Sequence, residues 1–219
     1  MAVLRTGVLE DVEVFFGTHD SNGGEPGEYF IALDLRAAPS ISIAFASMAK
    51  ARMRPCNSGV SPIRPAVALI DGIETISTKN VDPIHPRAIS VTHIEAGSTW
   101  NVIPRDAFIE GTVRTAYAED RTLIHDRIRD IANGTSLAYG VEIDFDWEYG
   151  SPSVYNDPEW TQFAKDTAAS LGLVVREPDA SLGGEDFSYY QQEAPGVFLN
   201  IGVGNGRPSD AWSYVLSEA

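Results

Sequence analysis

The stretch GSTWNVIPRDAFIEGTVRT, residues 97–115, decides the fold. From Ala107 onward apolar and polar side chains alternate, which predicts a β-strand with one buried face and one solvent-exposed face. Arg114 falls on the exposed face, and Asn101 lies in the turn that enters the strand. A guanidinium offers two parallel donors and an amide adds another, so this pair suits a ligand that carries a carboxylate. The alternative interpretation is a surface arginine and an asparagine that caps a turn.

Sequence patterns predict further strands and helices on either side of this strand. In chain order we predict strand Ser40–Phe45, a helix beginning at Ser61-Pro62, strand Ala88–Ile94, the strand from Ala107, helix Glu119–Ala138 closed by Gly140, and strand Val141–Trp147. Residues 48–61 are polar and basic, so we predict a loop there. Two split strand-helix-strand units of this kind form a ferredoxin-like antiparallel sheet with both helices on one face. We therefore predict a ferredoxin-like α+β domain over residues 37–149.

The flanking segments read as α/β material. Upstream, Val12–Gly17 predicts a short buried strand with His19 emerging at its C-terminal edge, and Tyr29–Leu35 a second strand. Downstream, Asp157 caps a helix that Gly172 closes; strands at 173–175 and 197–201 and a short helix at 185–192 follow. The residues predicted to face inward on the first of these helices are Phe163, Ala164, Thr167, Ala168 and Leu171. The downstream segment has too few strands to form a sheet of its own. We therefore predict one α/β domain built from residues 1–36 and 150–219.

Composition excludes several classes of function. The chain carries 31 acidic and 16 basic residues and a formal net charge of -15, which argues against nucleic acid or an anionic membrane surface as a partner. Cys56 is the only cysteine, so neither an internal disulfide nor a cysteine-rich zinc site is expected. The first residues lack a secretion signal, and no apolar run reaches the length of a membrane span. We expect a cytoplasmic protein.

Four stretches point to a known family. They are Phe16–Asp20, Trp100–Pro104 with Glu110–Thr115, Gly183–Ser188, and Pro195–Phe198 with Gly202–Gly204. In this order and at this spacing they resemble the second half of an M20-family metal-dependent amidohydrolase, the group of N-acyl-amino-acid and hippurate-type hydrolases. The resemblance implies a two-metal aminopeptidase-like catalytic domain, here partial, with the ferredoxin-like domain inserted in it as a lid.

The resemblance also implies a mechanism and roles for particular residues. In such enzymes two bridged divalent ions, zinc or manganese, polarise the amide carbonyl of an N-acyl amino acid or small peptide and generate hydroxide, and a glutamate acts as base. His19 becomes a metal ligand, and Asn101 and Arg114 become candidates for holding the substrate carboxylate. Glu185 and Asp186 would lie near the pocket, although carboxylates are also favourable at any helix N-terminus. A homodimer formed through the lid domain is expected.

Departures from the family pattern limit this expectation. The half that carries the paired Cys-x-His or His-x-Asp ligand and the Glu-Glu base and ligand would lie upstream of Met1. Ala51 stands where the transition-state-stabilising histidine is expected, Ser61 where an aspartate is expected, and residues 205–219 contain no histidine. We interpret His85, His93 and His125 as structural. With His19 as the one ligand, the sequence predicts no catalytic residue and an incomplete or inactive enzyme.

Three functions remain open. The first is an amidohydrolase by ancestry, whose chemistry requires the missing half. The second is a truncated, non-catalytic module that dimerises or binds a small carboxylate. The third, a regulatory amino-acid-binding domain of similar topology, is weaker because only the M20-like stretches carry a signal.

Overall fold

The computed structural model describes residues 3–21, 25–26, 28–31, 45–57, 59–177, 182 and 184–204. The chain divides into two compact units, which we call unit 1 (residues 1–43, 152–181 and 185–219) and unit 2 (residues 44–151 and 182–184). The boundary predicted between residues 36 and 37, and most of the strand predicted at 40–45, lie outside the described residues. The predicted boundary at 149 and 150 stays a prediction.

Within the described ranges the chain forms eight strands and four α-helices, after a short 3₁₀-helix at Leu4–Thr6. In chain order they are β1 (Phe15–Ser21), β2 (Glu28–Phe30), β3 (Phe45–Pro55), α1 (Ile63–Lys79), β4 (Arg87–Ala96), β5 (Ala107–Thr115), α2 (Ala118–Tyr139), β6 (Val141–Tyr149), α3 (Pro158–Ser170), β7 (Val174–Arg176), α4 (Phe187–Tyr190) and β8 (Gly196–Gly202). None of these helices is both long and apolar enough to cross a membrane.

Unit 2 is a four-stranded antiparallel sheet with the strand order β4-β5-β3-β6, and two helices lie between its strands in sequence. In β5 every second residue is buried, which confirms the alternation predicted from Ala107 onward. The predicted loop at residues 48–61 is wrong, because β3 continues to Pro55. Its alternate residues Ala51 and Met53 are buried in the core, as in any half-buried strand.

The core of unit 2 lies between this sheet and the two helices. Leu69 and Ile76 of α1 and Ile124 and Ile128 of α2 are almost fully buried against the sheet. The spacing of apolar residues in the sequence predicts a buried stripe of Ile124, Ile128, Ile131 and Ala138 on α2. This is confirmed at Ile124 and Ile128, but it is wrong at Ala138, which is exposed. Gly140 ends α2 as predicted, with φ 63°, a left-handed conformation that glycine adopts readily.

The other face of this sheet is charged. Three cations of β3 pair with carboxylates on both sides: Lys50 with Glu110 and Glu148, Arg52 with Asp106, and Arg54 with Glu142 and Asp144. Each pair is solvent-exposed, so each contributes little stability by itself. The cations alternate with buried residues along β3. A basic segment such as this one can therefore form a half-buried strand.

Unit 1 contains a four-stranded sheet with the order β1-β8-β2-β7. β1 runs parallel to β8, whereas β2 runs antiparallel to β8 and parallel to β7. Asp157 caps α3 as predicted, since its side chain accepts hydrogen bonds from the backbone N–H groups of Glu159 and Trp160 at 3.0 and 3.1 Å. The predicted inward stripe of α3 is wrong at Phe163 and Leu171, which are 55% and 70% exposed.

Candidate functional site

His19 lies in β1, opposite Asn200 of β8. The sequence placed it beyond the end of the strand, but β1 continues to Ser21. Its side chain is 56% exposed, and its Nδ1 lies 2.6 Å from the backbone oxygen of Asp20 and 3.1 Å from Oδ1 of the same residue. Asp20 therefore orients the ring through Nδ1, an arrangement suited to an imidazole that binds a ligand through Nε2.

An acidic turn lies on the same face of the unit 1 sheet as His19. Residues 17 and 19 share one face of β1, because side chains alternate along a strand. At Gly17 an added Cβ would lie 2.6 Å from the ring of Phe187, the first residue of α4. Glu185 and Asp186 immediately precede that helix. Both predicted pocket residues, Glu185 and Asp186, therefore lie on the same side of the sheet as His19.

The two carboxyl groups of this turn interact. Burial raises the pKa of Glu185 above its ordinary value of 4.5, and a side-chain hydrogen bond with Asp186 and repulsion from that carboxylate raise it further. Glu185 also accepts a hydrogen bond from the N–H of Phe187 at 3.3 Å. A raised pKa means that the folded state favours the protonated form. Glu185 therefore costs stability as the pH rises through its pKa, and this cost is absent at lower pH.

The donor set does not fit a dinuclear metal centre. In the part of the chain that the structure describes, no three or more His, Cys, Asp or Glu side chains group closely enough to hold a metal ion. The other described histidines each approach a carboxylate: His85 that of Asp120, His93 that of Glu110 and His125 that of Asp126. We therefore assign no step of any reaction to a metal held by these residues.

Arg114 lies on the exposed face of β5, as predicted, and borders an open pocket of about 270 Å³. Its Nη1 donates a hydrogen bond to the backbone oxygen of Leu182 at 2.7 Å. Met48 and Tyr149 supply apolar walls to this pocket. No local pattern predicts these walls or the Leu182 contact, because Tyr149, Met48 and Leu182 lie 35, 66 and 68 residues from Arg114 in sequence and meet it only in the folded chain. The pocket suits a small ligand with an apolar part and a carboxylate.

A second arginine supports the wall of this pocket. The guanidinium of Arg121 lies 4.6 Å from the centre of the Tyr149 ring and donates a hydrogen bond from Nε to Ser47 Oγ at 2.8 Å. Arg121 also donates to the backbone oxygen of Gly150. These contacts tie α2 to β3 and to the end of β6, so they fix the ring beside Arg114.

Asn101 lies in the exposed turn between β4 and β5, where it accepts a hydrogen bond from Thr99 Oγ1 at 3.3 Å. Trp100 beside it is 95% exposed. The turn precedes Ala107, whereas Arg114 lies seven residues further along β5. At about 3.3 Å per residue, the start of β5 and Arg114 are about 23 Å apart along the strand. The expectation that Asn101 and Arg114 hold the substrate carboxylate stays a prediction.

Residues 2–214 match the peptidase family M20/M25/M40. The chain is 32% identical over 217 residues to the N-acetylcysteine deacetylase of Bacillus subtilis (strain 168), an alignment covering 97% of this chain and 55% of that protein. It is 31% identical to the N-acetyldiaminopimelate deacetylase of Shouchella clausii, over 60% of this chain and 35% of that one. The chain belongs to the M20/M25/M40 family.

Solved structures support the same assignment. A dinuclear metal-binding peptidase of the M20 family from Bacillus subtilis matches with a TM-score of 0.76 and 32% identity, over 94% of this chain and 52% of that one. The aminobenzoyl-glutamate utilization protein of Klebsiella pneumoniae matches in fold with a TM-score of 0.74 and 16% identity, over 94% and 53%. The chain spans about half the length of these relatives.

Proposed function

We propose that this chain is the lid-bearing part of an M20 amidohydrolase that acts on the amide bond of N-acyl amino acids or small peptides in the cytoplasm. The observation that carries the proposal is the 32% identity to an N-acetylcysteine deacetylase over 97% of the chain. His19 supplies one ligand to a divalent metal, zinc or manganese. The remaining ligands and the catalytic base come from residues that this chain does not contain, so the chain by itself is inactive.

In this proposal unit 2 is the ferredoxin-like lid, and Arg114 binds the substrate carboxylate. The guanidinium can keep its hydrogen bond to Leu182 and still offer donors to a carboxylate, because arginine has five N–H groups. Met48 and Tyr149 would contact the apolar part of the substrate. Arg114 thus positions the substrate.

In this proposal Asn101 acts with a second copy of the chain. The turn that holds Asn101 precedes β5, whereas Arg114 lies seven residues along that strand, about 23 Å at about 3.3 Å per residue, so the two side chains reach one substrate from different molecules. A homodimer formed through unit 2 would bring Asn101 of one copy to Arg114 of the other. Under this proposal the substrate-binding site exists only in the dimer.

Calorimetry with N-acetyl-L-cysteine tests the role of Arg114. Arg114→Ala should weaken binding by about 1.5–3 kcal/mol, the range for a hydrogen bond to a charged group. Arg129→Ala is the matched control, since this exposed arginine of α2 pairs with Asp126 on the helix surface. Equal affinity of the Arg114 variant and the control would remove Arg114 from the site.

An activity assay tests whether the chain lacks the ligands and base needed for hydrolysis. The purified chain supplied with zinc or manganese should not hydrolyse N-acetyl or N-benzoyl amino acids. Turnover above that of the metal alone would show that the chain contains a sufficient set of ligands and a base.

A second candidate is a non-catalytic module that dimerises or binds a small carboxylate. The lack of a metal-holding group among the described side chains favours it. A strict monomer in light scattering at high protein concentration would count against the shared substrate site and against the dimerising form of this module. Restoration of hydrolysis by the missing half would separate the amidohydrolase from this module.

A further inference from the structure

The pocket beside Arg114 has a second charged side chain. The described residues that line this pocket are Ser47, Met48, Thr112, Arg114, Glu148, Tyr149 and Gly150. Among them, Arg114 and Glu148 carry a charge. A guanidinium and a carboxylate that line one pocket suit a ligand that carries both a carboxylate and a cation. The proposed function uses Arg114 and gives Glu148 no role.

The strand register places Arg114 and Glu148 on opposite sides of Met48. Met48 of β3 lies opposite Thr112 of β5 on one side and opposite Glu148 of β6 on the other. Arg114 follows Thr112 by two residues, so these side chains share the exposed face of the sheet. At about 4.8 Å between strands and about 3.3 Å per residue, the Cα atoms of Arg114 and Glu148 lie about 12 Å apart. An alkyl chain of a few carbons can span the gap between their charged ends, with Met48 beneath it.

The carboxylate of Glu148 is only partly neutralised by the protein. Nζ of Lys50 lies 3.1 Å from Oε1 of Glu148 and 4.0 Å from Oε1 of Glu110. Asp146 of β6 lies opposite Lys50, so this one ammonium group faces three carboxylates. The hydrogen bond with Glu148 and the charges of all three carboxylates raise the pKa of Lys50, so it stays a cation at neutral pH. An excess of negative charge therefore surrounds Lys50 at this end of the pocket.

We propose that Glu148 is a specificity-determining residue that binds an ammonium group at the end of the substrate side chain, so that the preferred substrates are N-acyl amino acids with a basic side chain. Arg114 binds the carboxylate, and the alkyl part of the side chain lies over Met48. The ammonium replaces Lys50 beside Glu148, and Lys50 keeps Glu110 as its partner. A substrate with a second carboxylate would be repelled by Glu148. This inference rests on the proposed function, because it starts from Arg114 as the carboxylate-binding residue.

Calorimetry with a matched pair of ligands tests the role of Glu148. Nα-acetyl-L-lysine carries the terminal ammonium, whereas N-acetyl-L-norleucine has a linear alkyl side chain without it. The side chain of Glu148 is 54% exposed, so solvent screens the contact. The full chain should therefore bind the lysine ligand about three- to five-fold more tightly than the norleucine ligand. Glu148→Gln should abolish this preference, because glutamine keeps the size of the side chain and removes its charge.

The matched control is Asp146→Asn, which removes a carboxylate from the same face of β6 outside the pocket. It should retain the preference, and circular dichroism confirms that both variants are folded. Equal loss of the preference in Glu148→Gln and Asp146→Asn would overturn the proposal, since the general negative field would then select the ligand. Equal affinity of the wild-type chain for the two ligands would overturn it as well.

A variant of Lys50 tests the exchange at Glu148. Lys50→Gln should increase the preference for the lysine ligand, because it removes the cation that competes for the same carboxylate. A preference that is unchanged or lower in this variant would contradict the replacement of Lys50 by the substrate ammonium.

The role of Glu148 and the proposed function can fail separately. If Arg114→Ala weakens both ligands while the wild-type chain binds them equally, the carboxylate site at Arg114 stands and the role of Glu148 fails. If Arg114→Ala binds both ligands as tightly as the wild type, the carboxylate site of the proposed function fails.

Discussion

Replacing Gly111 with alanine should destabilise unit 2 by about 1–3.6 kcal/mol. Gly111 lies in β5, between Ala49 of β3 and Val91 of β4. An added Cβ would lie 2.4 Å from the backbone oxygen of Ser90 and 3.1 Å from the Cα of Val91. The first distance is about 1 Å shorter than an ordinary van der Waals contact. Since both neighbours are backbone atoms, β4 itself must move.

The magnitude combines three effects. Overpacking of a well-packed site costs about 1–3 kcal/mol, and loss of a hydrogen bond between β4 and β5 costs about 1 kcal/mol. Alanine also lowers the conformational entropy of the unfolded chain, which stabilises the folded state by about 0.4–1 kcal/mol. The net loss is a large fraction of the free energy of unfolding of a small domain, about 5–15 kcal/mol.

Urea unfolding followed by circular dichroism measures this loss. Gly134→Ala is the matched control, because Gly134 lies within α2 of the same unit and an added Cβ would meet nothing within 4 Å. The control should stabilise unit 2 by about 0.5–1 kcal/mol, the difference between the two residues in a helix interior. Equal unfolding midpoints for the Gly111 variant and the wild type would refute the close approach of β4 to β5.

Three further predictions concern stability. Gly17→Ala should lower the melting temperature through overpacking of about 1–2 kcal/mol against the Phe187 ring, less than Gly111→Ala because a ring moves more easily than backbone. Glu185→Gln should stabilise the protein in urea at neutral pH and have no such effect well below pH 4.5, because it removes a carboxyl group with a raised pKa; equal stabilities of this variant and the wild type at neutral pH would contradict this. A fragment of residues 44–151 should unfold cooperatively, since it carries the thirteen-residue core; a non-cooperative urea transition would contradict this.

Local patterns predicted the elements whose signals lie close together in sequence. The alternation in β5, the glycine that ends α2 and the Asp157 cap of α3 each depend on a few neighbouring residues, and the structure confirms all three. Such signals report backbone conformation and local burial directly.

Features that depend on distant residues were missed. The cations of β3 made its sequence look like a loop, but Lys50 pairs with Glu148, 98 residues away. Phe163 and Leu171 occupy helical positions typical of a buried stripe, and the spacing carries no information on whether a neighbour covers them. Sequence periodicity therefore identified the apolar side of α3 without its packing partner.

In the candidate site, too, local patterns predicted strand geometry but not contacts between distant segments. The strand face of Arg114 followed from alternation, whereas its contact with Leu182 did not, because no local pattern links the two segments. The seven-residue separation of Arg114 from the start of β5 was available in advance, once β5 is recognised. Resemblance named both Asn101 and Arg114, and their joint role stays a prediction.

The carboxylates of β6 determine which edge of the unit 2 sheet can accept a second molecule. β6 is one end strand, and Glu142, Asp144, Asp146 and Glu148 all lie on its exposed face. Two β6 strands side by side would bring like charges together across the new interface, which is destabilising. On the same face β4, the opposite end strand, presents a single carboxylate, Glu95, among Ala88, Ser90 and His93. For the proposed dimer, this repulsion favours β4 over β6 as the edge at which two copies would join their sheets.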